Sequence, residues 1–169
     1  MHMKGKMIHV AALAMLVFAR TPAPAATFYV SPAGSNTPPF ETWEKAATNI
    51  QVAVDSAGVA DTVEVAAATY VLTVQLVLTN GAVVASSAGA SSTILEATGG
   101  IRACYIGHSN SVLDGFTIRN GRALTWPDVY GGGVCIATNG TVLNCIVTNN
   151  QAYYGGGICC SYGGTVLHC

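Results

Sequence analysis

The feature that most constrains this chain is a repeat near its C-terminal end. Residues 130–145 read YGGGVCIATNGTVLNC and residues 154–169 read YGGGICCSYGGTVLHC; ten of 16 positions are identical without a gap, at a period of 24 residues. A third, looser copy lies upstream, where SVLDGFTIRNGRA at 111–123 matches TVLNCIVTNNQA at 141–152 with one extra residue. A fixed period between about 20 and 50 residues marks a solenoid, in which each repeat buries its apolar face against its neighbours. At about 3.3 Å per extended residue, one repeat traces a closed path of roughly 80 Å. That length suits a coil of three short strands and three turns. A leucine-rich repeat has a similar period but requires Leu at fixed offsets, whereas this period is filled by a glycine triplet and β-formers. The pattern predicts an all-β parallel β-helix.

Equivalent positions in successive coils stack about 4.8 Å apart, so inward side chains form ladders along the axis. The alignment places Val134 over Ile158, Val142 over Val166 and Ile136 over Cys160, with Val112 on the Val142 line. Phe116 and Ile118 are expected to fill the coil before. Gly131–Gly133 and Gly155–Gly157 permit bends that residues with a Cβ resist, and Asn149 and Asn150 suit a strand-end bend. Upstream, short β-type runs occur at 61–66, 74–79, 82–86, 93–97, 103–107 and 111–118, each bounded by turn formers. Ahead of them lie a short strand at Phe28–Val30, a turn-rich loop, and an amphipathic helix over 42–57. Thr42 is the expected N-cap, and Gly58 follows the last turn. This 27–60 segment is expected to cap the coils of 61–169 and shield their first open edge.

Hydrophobic residues make up 51% of the chain, charged residues 9%, and the mean hydropathy is +0.45. Even so, the longest unbroken apolar run, Val10–Ala19, has ten residues, where a bilayer-crossing helix needs about 20. No transmembrane helix is expected. The net charge of −1 excludes a nucleic-acid binder that relies on a strongly basic surface, and the apolar content excludes a disordered chain. Residues 1–26 read as a secretory signal: Lys4 and Lys6 precede the apolar stretch, and Ala23-Pro24-Ala25 offers small residues for cleavage after Ala25 or Ala26. Its removal takes three cations and no acid, leaving a net charge of −4. The expected location is secreted or cell surface.

GGGV at 131–134 and GGGI at 155–158, each with a strand such as CIVTNN at 145–150, resemble the repeats of bacterial right-handed β-helix proteins. They are also similar to the repeats of the polymorphic outer-membrane proteins. FYVSPAGSN, a helix, then DTVEVAAATY resemble the N-terminal cap of large secreted proteins of the pectate-lyase-like superfamily, and VLDGFTIRNG resembles a coil motif of that group. The resemblance covers about residues 27–169 and implies a right-handed parallel β-helix and export. It leaves activity open, because this fold hosts lyases, hydrolases and adhesins alike.

Lyases of that superfamily bind Ca²⁺ through clustered acids, with an Arg or Lys as base. Here the acids are scattered, and no catalytic residue is assigned. One group brackets a break in the repeat: Asp114, Arg119, Arg122 and Asp128, with Trp126 in the extra residues Leu124–Asp128. Three readings stay open: an insertion whose Trp packs on the coil wall, a loop whose Trp126, Asp128, Arg119 and Arg122 contact a sugar, or a catalytic group at the same loop. Asp114 precedes Gly115 and is expected to form a turn. Cys145 and Cys169 are expected inward as core residues; Cys135 and Cys159, also 24 apart, face outward as a candidate disulfide, although in-register side chains point the same way. His168 with the cysteines makes a poor zinc set, and His108 lies in a solvated turn. Asn139-Gly140-Thr141 fits a glycosylation sequon. The chain stops at Cys169 within a repeat, without a polar capping element, which predicts further coils beyond it. The leading expectation is an exported surface protein with a structural, adhesive or carbohydrate-binding role, whose partner is a polysaccharide or cell-surface glycan and which needs no cofactor. The alternative is a polysaccharide lyase or glycoside hydrolase with its site in downstream coils, and only the lyase would call for Ca²⁺.

Overall fold

A computed structural model describes residues 24–169; most of the expected secretory signal over 1–26 lies outside the described residues. Strand β1 (Thr27–Val30) and one short helix, α1 (Ile50–Ser56), precede the coils. The first turn holds β2 (Thr62–Val65), β3 (Ala68–Leu72) and β4 (Leu76–Leu78), and the second β5 (Val83–Ser86), β6 (Thr93–Ala97) and β7 (Cys104–Ile106). The third turn comprises β8 (Val112–Asp114), β9 (Thr117–Arg119), β10 (Arg122–Ala123) and β11 (Val134–Ile136). The fourth comprises β12 (Thr141–Leu143), β13 (Ile146–Thr148), β14 (Gln151–Ala152) and β15 (Ile158–Cys160), after which β16 (Thr165–Leu167) opens another. Strands of successive turns pair in parallel and build three walls: β1-β2-β5-β8-β12-β16, β3-β6-β9-β13 and β4-β7-β11-β15, with β10-β14 at one corner. The chain is a parallel β-solenoid of about four turns. β3 was not among the runs expected from the sequence.

The core is a set of files along the axis. Val63, Val84, Leu113 and Val142 form one; Tyr70, Leu95 and Ile118 another; Leu78, Ile106 and Ile136 a third, all of them buried. Phe116 is fully buried beside them. Val134 pairs with Ile158, Ile136 with Cys160 and Val142 with Val166. Val112, however, pairs with Thr141, so that Leu113 rather than Val112 stacks on Val142. The corner decides this. Gly115, Asn144 and His168 follow the ends of β8, β12 and β16, and all three adopt the left-handed conformation, with φ of 76°, 48° and 54°. Gly and Asn tolerate that conformation best, so aligning the corners sets the strand register one residue away from the simple repeat.

The cap differs from expectation. The helix begins at Ile50, not Thr42, and its N-cap is Asn49, whose side chain accepts a 2.8 Å bond from Gln51 N–H. Residues 44–47 are taken by tertiary pairing instead. Ala47 N–H donates to Tyr29 O and Ser31 N–H to Ala47 O, both at 2.9 Å, while Ser35, Thr37 and Asn36 donate to the carbonyls of Glu44, Lys45 and Ala46. Carbonyls so engaged cannot serve an α-helix. Trp43 packs on the Tyr29 ring at 4.6 Å between centroids. Gly58 is not part of a left-handed cap; Ala57 ends the helix in extended conformation, and Gly58 N–H donates to Asp61 Oδ2 at 2.7 Å.

α1 buries Ile50, Ala53 and Val54 over the first turn. Its Gln51 amide closes the open edge of β4, accepting from Val77 N–H at 2.8 Å and donating to Val77 O at 3.1 Å. Asn80 Nδ2 in turn donates to the terminal helix carbonyls of Val54 and Ala57. The register makes a testable statement. Leu113→Ala should lower stability by about 2–5 kcal/mol, as for a large core truncation. Val112→Ala, on the outer face, should cost under about 1 kcal/mol. Urea unfolding would measure both, and the reverse order would place Val112 on the inner ladder.

Candidate functional site

The chain leaves the corner after β10 and joins the third wall at β11, and between them residues 124–130 form a loop outside the coil. Two clefts flank it. The first, about 360 Å³, is lined by Trp126, Asp128, Arg122, Arg102, Gln75 and Val74 among others. The second, about 580 Å³, lies over the third wall between Tyr105, Tyr130 and Tyr162. Arg102 and Asp128 line both clefts.

Arg102 holds the loop in place. Its side chain is only 5% exposed, yet every nitrogen has a partner. Nε donates to Tyr130 O at 3.0 Å and Gly131 O at 3.2 Å, Nη1 to Gln75 Oε1 at 3.1 Å, and Nη2 to Asp128 Oδ1 at 2.9 Å. A buried guanidinium is tolerated when its donors are met in this way. The guanidinium carbon also lies 5.8 Å from the Tyr105 ring centroid. Sequence reasoning missed Arg102. The available signal was a lone cation in the apolar stretch IRACYIG, in a chain with few cations to spend.

Trp126 is 80% exposed at the loop tip and does not pack on the wall. Tyr130 and Tyr154, the first residues of the two YGGG copies, stack at 5.1 Å and 22°. The glycines behind them let turns approach closely: a Cβ on Gly133 would lie 2.5 Å from Gly157 O. The first cleft thus unites Trp126, Asp128 and Arg122 of the residues singled out by sequence, and leaves out Arg119 and Asp114. Arg119 sits on the second wall, where Nη2 donates to Glu96 Oε2 at 2.9 Å. That hydrogen bond holds the Glu96 carboxyl below the usual carboxylate range against partial burial, helped by the Arg119 charge and by Asn120. Asn149 Nδ2 donates to Asn120 Oδ1, extending the polar ladder along this corner. Asp114 accepts from Asn144 Nδ2 at 2.8 Å on the first wall.

The described cysteines are free thiols. Burial pushes the Cys145 thiol up to about 11 and the Cys104 thiol well beyond its ordinary range. Phe116 N–H donates to Cys145 Sγ and Cys145 N–H to Cys169 Sγ, each at 3.5 Å; Cys145 is buried and Cys169 exposed. Cys135 and Cys159 are register partners on the outer face of the third wall. His108 Nδ1 accepts from Asn110 N–H within its turn, and Asn139 is exposed. Among the described residues, no group of three or more His, Cys, Asp or Glu side chains could hold a metal ion.

No family model, curated protein or solved structure matches the chain.

The loop anchorage is asymmetric, and its energetics should be too. Arg102→Met leaves the carbonyls of Tyr130 and Gly131 without their donor and should cost about 1–3 kcal/mol. Asp128, 62% exposed at its side chain, keeps its contact with water. Asp128→Asn should therefore cost under about 1 kcal/mol. Equal losses in denaturant melts of the two variants would show that the ion pair, not the carbonyl bonding, fastens the loop.

Proposed function

We propose that this protein is an exported β-solenoid that binds carbohydrate, with a polysaccharide or cell-surface glycan as partner, and that the 124–130 loop and its clefts are the contact surface. The observation that carries this reading is the exposed Trp126 ring at the rim of a cleft whose walls supply Arg122, Asp128 and Gln75. A sugar ring offers an apolar C–H face and a rim of hydroxyls. An aromatic platform beside a few polar groups meets both needs. The buried Arg102 supports the same reading, since it holds the platform's loop before any ligand arrives and so reduces the ordering cost of binding.

Binding is favoured over hydrolysis by the carboxylate count. Among the described residues, Asp128 is the one acid lining either cleft, while glycoside hydrolysis ordinarily uses two carboxylates. The export and surface part of the reading is supported by the N-terminal apolar stretch and its flanks.

A glycan array with the full chain, followed by titration of any hit, tests this. Trp126→Ala should weaken binding by on the order of tenfold or more, as for a central aromatic anchor, with the unfolding midpoint unchanged. The chain has two tryptophans, Trp43 and Trp126, so ligand-induced fluorescence change should vanish in this variant and persist in Trp43→Phe. Undiminished binding by Trp126→Ala, or no glycan bound at all, would overturn the assignment.

A further inference from the structure

The outer file of the third wall runs Val77, Tyr105, Cys135, Cys159. The last two residues are free thiols on adjacent parallel strands. Both sulfurs sit beside one hydroxyl: Ser161 Oγ is 3.9 Å from Cys135 Sγ and 4.0 Å from Cys159 Sγ. They share a small space on the floor of the second cleft, among Tyr105, Tyr130 and Tyr162.

The strand spacing limits what the pair can do. In-register positions on neighbouring parallel strands lie about 4.8 Å apart, with side chains leaving in the same direction. A disulfide requires sulfurs about 2.05 Å apart and β-carbons about 3.8 Å apart, so the side chains would have to turn inward and the strands draw together. A metal–thiolate bond is about 2.3 Å, and two in line through one ion span about 4.6 Å, close to the strand spacing. In-line coordination by two soft thiolates suits a closed-shell monovalent ion, above all Cu(I), which thiolates select over harder ions. Zinc would require about four ligands in a tetrahedron, and no group of three donors exists among the described residues.

We propose that Cys135 and Cys159 form a two-thiolate site for one Cu(I) ion. Two S–H bonds are exchanged for two S–Cu bonds, both protons pass to solvent, and no atom changes oxidation state. The complex carries one negative charge, and Arg102 lines the same cleft. The other stacked pair is differently engaged, because Cys145 and Cys169 each accept a backbone N–H through sulfur. Cys160 also lines the second cleft, but it pairs with the inward Ile136 and leaves its strand on the side opposite Cys159. The site lies on the floor of the second of the two clefts that flank the 124–130 loop, and nothing in its geometry requires a bound carbohydrate.

Anaerobic titration of the reduced full chain with Cu(I), against bicinchoninate and with ascorbate as reductant, tests the proposal. The expected result is one Cu(I) per chain held from the chelator. Cys135→Ser and Cys159→Ser should each weaken it by more than about 100-fold, beyond what loss of a supporting hydrogen bond costs, while Cys160→Ser retains it. Circular dichroism of the copper-free variants separates loss of the site from loss of the fold, and the half-exposed Cys159 supplies the test if Cys135→Ser does not fold. Retention of tight Cu(I) by a folded Cys135→Ser or Cys159→Ser variant would overturn the site. So would an air-purified protein two hydrogens lighter with Cys135 joined to Cys159, which would make the pair a disulfide.

Discussion

Every strand of a parallel solenoid satisfies its backbone through the turns on either side, so the stack depends on how its first edge is closed. Here the closure is divided among three devices. β1 adds a strand to the first wall, and the Gln51 side chain imitates a strand against β4 by donating and accepting at Val77. The helix carrying Gln51 covers the apolar interior between them, with its last carbonyls met by Asn80. An edge left open would cost unpaired polar groups and invite foreign strands. A seven-residue helix is too short to be stable by itself, so its existence is itself a product of this packing.

The parts of the fold legible in the sequence were those that recur. The 24-residue repeat announced the solenoid, and alternating apolar positions announced most of the strands. Features set by contacts across turns were not legible. The spacing of Trp43, Ala46 and Ala47 satisfied a helical period, but their neighbourhood binds the backbone of 29–37 instead. The register of Val112 followed from matching identical residues, whereas the left-handed corner at Gly115 imposed a different alignment. β3 escaped because ATYVL follows Ala66-Ala67 without a turn former between them.

The same division runs through the site. An interrupted repeat drew attention to Trp126, Asp128 and Arg122, and the clefts do contain them. Arg119 lay close in sequence yet belongs to a different wall, because the corner at Asn120 turns the chain between them. Arg102 was invisible for the opposite reason: its partners, Gln75, Asp128, Tyr130 and Gly131, lie more than 25 residues away. Only stacking brings them together. In this architecture the residues that organise a site come from neighbouring turns, and adjacency along the axis matters more than adjacency along the chain.

The turns are unequal. Along the first wall, register partners are 21, 29, 29 and 24 residues apart, although each step between strands is one ladder spacing. Added length therefore goes sideways and not along the axis. The molecule works as a spool with two separate dials. Loop content sets the shape and chemistry of the clefts. The ladder sets a constant pitch on which paired side chains such as Cys135 and Cys159 keep their separation, whatever the loops become. A chain of this kind can lose, lengthen or exchange its 124–130 segment and still present the rest of its outer face on the same ruler.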